Sequence, residues 1–345
     1  MTKNRPMPPG QSMVATDITT RFSTERGELC AVEQVDFHVM PGEAVGLVGE
    51  SGSGKSVLTR TMMGLNAGSD GVSTSGRAVL GGVDLLSLTQ KQLRGIWGRR
   101  IGIVLQDPLS SLNPVRRVGT QIVETIRRHR SGTTTSEARV QAEQILREVG
   151  IADPAARLAV YPHQMSGGMR QRVMIAIALS GDPDVLIADE PTTALDVTVQ
   201  RQILDLLDRE RRARKMGLIL VTHDLSVVAS RTDRVVVMYA GQIVEEAPTR
   251  DLFATPLMPY TRALLNAVPP MDGPIHLTLA AIPGGPPDLS EPISGCRFAP
   301  RCVRVQARCT VEAPELREAD DNPEHRIRCH FPLMPRDAVH TRGES

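Results

Sequence analysis

Four short apolar runs set the frame of this chain. "EAVGLVGE" at 43–50, "RIGIVLQD" at 100–107, "DVLIADE" at 184–190 and "LILVTHD" at 218–224 are rich in branched residues and end in polar ones. Strands buried on both faces of a parallel sheet have this pattern, and their carboxyl ends are where such sheets bind ligands. Helical spacing follows the first run, at Val57, Leu58, Met62 and Leu65, with Gly64 and Gly68 as candidate stops. Between the second and third runs, residues 108–182 predict a helical insert. Its clearest element is "SEARVQAEQILREVG", with Ser136 as N-cap, Ala142, Ile145, Leu146 and Val149 on one core-facing stripe, and Gly150 as the stop. Residues 269–292 hold seven prolines and predict a linker or extended arm before a small separate element. No internal repeat is visible.

The polar segments carry the chemistry. "GESGSGKSVL" at 49–58 has the pattern Gly, four residues, Gly-Lys-Ser, with Gly49, Ser51, Gly52, Ser53, Gly54, Lys55 and Ser56 forming the loop. Successive backbone N–H groups at a helix N-terminus cradle phosphate oxygens. Such a loop binds ATP or GTP: Lys55 is expected to reach the β- and γ-phosphates, and the Ser56 hydroxyl to ligate Mg²⁺. A strand before and a helix after are the context that separates this motif from a chance Gly-rich loop. "VLIADE" presents Asp189 at a strand tip as a metal-side carboxylate, followed by Glu190, placed to orient or deprotonate water. A strand-end Asp-Glu alone is more often a solvated pair; the phosphate loop in the same chain reverses that balance. "MSGGMRQRVMIAIAL" at 165–179 sets Ser166-Gly167-Gly168 before a helix with Val173, Ala176 and Ile177 on its apolar stripe, a second N-terminus suited to phosphate.

Composition narrows the classes. The 40 basic and 39 acidic residues leave a net charge of +1, and aromatics are scarce, which argues against a nucleic-acid partner. "MTKNRPMPPGQS" has no apolar run of a signal peptide, and no stretch approaches the length of a membrane span, so a cytosolic protein is expected.

Taken in order, these motifs resemble the ATP-binding cassette (ABC) ATPases. The resemblance assigns Ser166, Gly167 and Gly168 to the signature that completes a partner subunit's site in a head-to-tail dimer. It assigns Gln106 to the loop that senses Mg²⁺ and γ-phosphate, Asp196 of "TALD" to the loop along the dimer interface, and His223 to the switch histidine. Phe22 would be the aromatic that stacks on adenine, although one Phe in a first strand is about as often core. Met165 and Met169 depart from the commoner Leu and Gln of the signature. "QDPLSSLNP" (106–114), "YPHQMSGGMRQR" (161–172), "YTRALLNAVP" (260–269), "GCRFAPRCVRVQARC" (295–309) and "HRIRCHFP" (325–332) resemble the branch that powers dipeptide and oligopeptide importers. That resemblance implies two ATPase subunits beneath two membrane-spanning permeases at the cytoplasmic face of the inner membrane, with an external solute-binding protein delivering substrate. The insert after Gln106 would receive the permeases' coupling helices. The competing class is a soluble ABC ATPase acting on DNA or ribosomes. Such proteins generally carry coiled-coil insertions or tandem cassettes, and neither is present.

Cysteine usage is uneven: Cys30 stands alone, while Cys296, Cys302, Cys309 and Cys329 crowd the last fifth of the chain. In a reducing compartment such a cluster points first to metal. Its spacing is neither that of a zinc finger nor that of a ferredoxin, and four thiolates suit Zn²⁺ or a 4Fe–4S cluster. His325 and His330 leave a mixed zinc site open, and buried unmetallated thiols are the plain alternative. Resemblance to peptide-importer tails favours 4Fe–4S. Nothing in the sequence suggests electron transfer, so a stabilising or interface role is expected, with a redox-sensing module regulating the ATPase as a competing reading. The expected architecture is α/β with a parallel sheet: an ABC core at 1–107 and 183–247, a helical subdomain at 108–182, and a cysteine-bearing extension at 248–345.

Overall fold

Each of the four apolar runs folds as a strand, because neither face of such a segment is stable in water. The strands in chain order are β1 (Met13–Thr24), β2 (Gly27–Val39), β3 (Ala44–Val48), β4 (Val72–Leu80), β5 (Val83–Asp84), β6 (Ile101–Val104), β7 (Val185–Asp189), β8 (Gly217–Thr222), β9 (Arg234–Tyr239), β10 (Gln242–Pro248), β11 (Arg317–Ala319) and β12 (Asn322–Ile327). The computed structural model describes residues 12–25, 27–107, 111–193, 195–267, 282–291 and 293–334. They form two compact units, one built on His38–Ala44 and Val79–Leu220, the other on Ala15–Phe37, Val45–Ala78 and the residues from Val221 onward.

In the first unit β6 and β7 run parallel, with Ile101 opposite Val185 and Val104 opposite Ala188, and β8 flanks β7. Every residue of β7 is buried, including the Asp189 carboxylate at its tip. The insert is helical as expected. Its longest helices are Val118–His129, Thr135–Glu148 and Gly167–Leu179, packed on one another, with Ile122, Ile126, Ala142, Leu146 and Val173 among their buried residues. Two details differ from the sequence reading. The N-cap of Thr135–Glu148 is Thr134, not Ser136: the Thr134 hydroxyl accepts from Glu137 N–H at 3.2 Å, and Glu137 Oε2 accepts from Thr134 N–H at 2.8 Å. A reciprocal box satisfies two otherwise unpaired donors, which a serine inside the first turn cannot do. The helix Gly167–Leu179 is also more than a one-sided stripe. Met174, Ile175, Ala178 and Leu179 are buried along with Val173 and Ala176, while Ile177 is only half-buried.

In the second unit β3 runs parallel to β9, with Val45 opposite Arg234 and Val48 opposite Val237; antiparallel β10, β12 and β11 follow. The architecture is therefore mixed, not purely parallel. Ala240 and Gly241, both at positive φ, join β9 to β10, and a two-residue connection permits only an antiparallel hairpin. A further sheet has the order β2, β1, β4. The helix after the phosphate loop is Lys55–Met62, so Leu65 lies beyond it. Its buried face uses Thr59 and Thr61, with Val57 half-buried. Thr61 Oγ1 sits 2.9 Å from Thr20 Oγ1 and accepts from Asn66 Nδ2 at 2.8 Å, so a polar pair completes a face that apolar spacing misplaces. Of the expected linker, residues 282–291 carry no regular element, and the rest lie outside the described residues. Among the described residues no helix is long and apolar enough to cross a membrane.

Candidate functional site

The phosphate loop turns where only glycine fits. Gly49 has φ +152° and Gly54 φ +99°. A Cβ would meet Met238 O at 2.1 Å from Gly49 and Ala31 O at 2.5 Å from Gly54. Lys55 is buried, and its ammonium donates to Gly49 O at 2.7 Å, Glu50 O at 2.8 Å and Ser53 Oγ at 3.2 Å. The loop thus wraps its oxygens around the cation that a phosphate would otherwise engage. Ser51 and Gly52 are exposed, Ser53 is buried, and Ser56 is half-buried one residue into the helix.

Glu50, inside this loop, was not singled out by the sequence, yet three hydrogen bonds with two residues fix it. Its N–H donates to the Tyr260 hydroxyl at 2.9 Å. Its carboxylate takes two bonds from Arg301, Nη1 to Oε2 at 2.7 Å and Nη2 to Oε1 at 3.0 Å. Tyr260, Tyr239 and Phe298 form a ring cluster with centroids 4.6–5.3 Å apart. Burial raises the Tyr260 hydroxyl above the usual phenol range, keeping it neutral. Arg297 similarly reaches Glu33 and the Ala240 carbonyl.

In the first unit Asp189 ends β7 and Glu190 follows at φ +47°, a left-handed turn that redirects the chain at the strand tip. Glu190 Oε2 accepts from Gln106 Nε2 at 3.0 Å and from Thr193 Oγ1 at 2.9 Å. Gln106 and Glu190 are brought together as the motif order suggests, and Thr193 is an addition. Ser166 caps Gly167–Leu179, accepting from Met169 N–H at 3.3 Å. At Gly168 a Cβ would lie 2.8 Å from Val199 Cγ1; at Gly167 it would meet only Leu195 Cδ2 at 3.5 Å. Asp196 caps Val197–Arg214 by accepting from Val199 N–H at 2.9 Å. In the second unit Phe22 is half-exposed in β1, outside the core, and His223 is exposed just past β8.

Cys296, Cys302, Cys309 and Cys329 line one cavity, together with Phe298 and His330. Burial raises the Cys296 and Cys302 thiols, and it lifts Cys329 to about 11, with like charge from the other three adding to it. His325 is not on this wall: it is buried, with Nε2 2.7 Å from Glu245 Oε1. His330 Nε2 lies 2.9 Å from Glu312 O. Among the described residues no three His, Cys, Asp or Glu side chains are grouped so as to hold a metal ion.

Comparison with known proteins gives the family. Residues 32–193 match the ABC transporter family, and residues 244–309 match the C-terminal region of oligopeptide/dipeptide transporters. A protein of Sinorhizobium fredii named "Probable peptide ABC transporter ATP-binding protein y4tR" is 46% identical over 313 residues, covering 91% of this chain and 92% of its own length. The chain belongs to the ABC transporter family. Another ABC relative, the oligopeptide transport ATP-binding protein OppD of Mycobacterium tuberculosis, is 46% identical over 314 residues. The present chain spans 51% of OppD's length. Among solved ABC structures, the dimeric post-hydrolysis state of the ATP-binding cassette MJ0796 bound to ADP and Pi aligns at TM-score 0.62 and 26% identity. That alignment covers 69% of this chain and 99% of the cassette. The ABC fold, with its mixed α/β sheets, is thus shared.

Proposed function

We propose that this chain is the ATP-binding and ATP-hydrolysing subunit of an importer of dipeptides or oligopeptides, working peripherally at the cytoplasmic face of the inner membrane. The observation that carries the reading is the pairing, on one chain, of the ABC cassette at 32–193 with the oligopeptide/dipeptide C-terminal region at 244–309. Functionally the chain is divided into a nucleotide-binding core (1–107 and 183–247), a helical subdomain that meets the permeases (108–182) and the C-terminal extension (248–345).

ATP binds with its phosphates on the N–H groups of residues 49–56, and Phe22 stacks on adenine. Lys55 exchanges the carbonyls of Gly49 and Glu50 for β- and γ-phosphate oxygens. Ser56, Gln106 and Asp189 offer oxygen donors only, the set that Mg²⁺ prefers, and Mg²⁺ when bound neutralises phosphate charge. Glu190 accepts a proton from water as its oxygen attacks the γ-phosphorus. The bond to the β–γ bridging oxygen breaks, giving ADP and inorganic phosphate, while Lys55, Gln106 and His223 stabilise the developing charge. Ser166, Gly167 and Gly168 of a second ATPase subunit, same or homologous, complete the site, and Asp196 lies along that interface. Closure and reopening of the pair move two permeases, which an external binding protein supplies.

The four cysteines are proposed to hold a 4Fe–4S cluster in a stabilising role. Four thiols lining one cavity are the donor set of such a cluster, and it is this shared lining that supports the reading. Iron and acid-labile sulfide in anaerobically purified protein would support this. Stoichiometric zinc, or neither element, would overturn it.

Pull-down of the tagged chain from detergent-solubilised membranes, with mass spectrometry, tests the transport reading. Recovery of two multi-spanning permeases supports it. Recovery of ribosomes or DNA-associated proteins alone would favour the soluble-ATPase class.

A further inference from the structure

The phosphate loop is held from outside the cassette motifs. Arg301 lies next to Cys302 in the C-terminal region and 251 residues from Glu50, which it grips with two bonds. Only 4% of its side chain is exposed. Its other donor contacts are made as well: Nε to Pro283 O at 2.8 Å, Nη1 to Tyr239 Oη at 3.3 Å and Nη2 to Ile282 O at 3.4 Å. A guanidinium has five N–H donors, and these contacts account for all five. A buried arginine satisfied in this way is fixed in position, and a planar two-bond grip transmits that position to its partner.

The partner is the second residue of the loop that would carry the nucleotide. Glu50 O accepts from Ser53 N–H at 3.2 Å and from the Lys55 ammonium. Its N–H is held by Tyr260. Glu50 therefore ties the loop's own turn and its lysine to the C-terminal region through both side chain and backbone. Charge adds a second reason for the pair. A lone carboxylate in a phosphate-binding loop repels the triphosphate, and a buried guanidinium on that carboxylate cancels the repulsion locally.

We propose that Arg301 is a positioning residue for ATP: through Glu50 it fixes the phosphate loop in its binding geometry and neutralises the carboxylate beside the phosphates. The inference rests on the ATP-binding reading and extends it, since it makes nucleotide affinity depend on the cysteine-bearing region. Arg301 touches neither the nucleotide nor the reacting atoms; it acts through Glu50.

The test is a double-mutant cycle on the purified full chain, reading ATP affinity by titration calorimetry and folding by thermal melting without nucleotide. Arg301→Met and Glu50→Gln are each expected to weaken ATP binding by on the order of tenfold, the equivalent of one charged hydrogen bond. The double variant is expected to be no weaker than the worse single, because both changes break one contact. Arg301→Lys, which keeps the charge but not the planar grip, should recover part of the affinity. In steady-state turnover the loss should fall on KM rather than kcat. Should Arg301→Met fail to melt cooperatively, Glu50→Gln, altered at the partly exposed end of the pair, decides the matter with Arg301→Lys. Additive losses in the cycle, or wild-type affinity in folded Glu50→Gln and Arg301→Lys, would overturn the proposal. If the unaltered chain does not bind ATP, the ATPase reading itself fails, a result distinct from normal binding by the chain and its variants alike.

Discussion

The Gln106 side-chain amide donates to Glu190 Oε2 at 3.0 Å, joining residues 84 positions apart. The same oxygen accepts from Thr193 at 2.9 Å, so Gln106 and Thr193 together orient the carboxylate. Replacing Glu190 by Gln keeps the shape and removes the base. Glu190→Gln should retain ATP binding, lower kcat by about 10²–10⁴-fold and trap the ATP-bound pair. Turnover and size-exclusion chromatography with ATP check this, and rapid hydrolysis by the variant would remove Glu190 from the reaction.

Thr193 makes a finer test of the same carboxylate. Thr193→Val removes one donor to Oε2 without changing volume much. We expect kcat to fall by about ten- to a hundredfold with KM for ATP unchanged, as for one hydrogen bond to a charged group. A rise in KM alone would show that Thr193 serves binding instead.

The two signature glycines should separate packing from ligand binding. Gly168→Ala places a methyl 2.8 Å from Val199 Cγ1 and should destabilise the fold by about 1–3 kcal/mol, seen in denaturant melts. Gly167→Ala meets only an ordinary contact at 3.5 Å and should leave stability within about 0.5 kcal/mol. Any loss of ATP turnover in Gly167→Ala would then report the helix N-terminus as a phosphate site.

Helix capping gives a prediction with a pH signature. Thr134→Ala should cost about 1 kcal/mol, whereas Ser136→Ala should cost little. Hydrogen bonds from the Thr134 N–H and hydroxyl hold the Glu137 carboxyl below the usual glutamate range. A depressed carboxylate stabilises the fold above its unfolded-state pKa and loses that effect as pH falls through its folded-state pKa. The gap between wild type and Thr134→Ala should therefore be full at neutral pH and narrow in acid. A gap independent of pH would leave the carboxylate out of the cap.

What the sequence made legible was contiguous. The phosphate loop, the tip at Asp189 and Glu190, and Ser166 with its glycines each combine a motif and the element carrying it in one short stretch. The stripe Ala142, Ile145, Leu146 and Val149 was readable because its burial follows one helix period. Thr134 could have been read as well, since Thr-x-x-Glu before an apolar run is a capping signal. The hairpin β9–β10 was missed because β10 carries Glu245 and Glu246, which look solvent-facing. Both are buried, Glu245 against His325, Glu246 against Arg234 and Arg326. Buried charges with distant partners leave no local pattern, and the grip of Arg301 on Glu50 is of the same kind.

That grip also orders events in time. A ribosome makes Gly49–Ser56 early and Arg301 late, and at about 5–20 residues per second the interval is about 10–50 s. Throughout it the nascent chain has its phosphate-loop sequence but not the residue that fixes Glu50. Until the cysteine-bearing segment has emerged and docked the loop lacks that hold, so on the reading proposed above a cassette halted in synthesis would bind ATP about tenfold more weakly than finished protein.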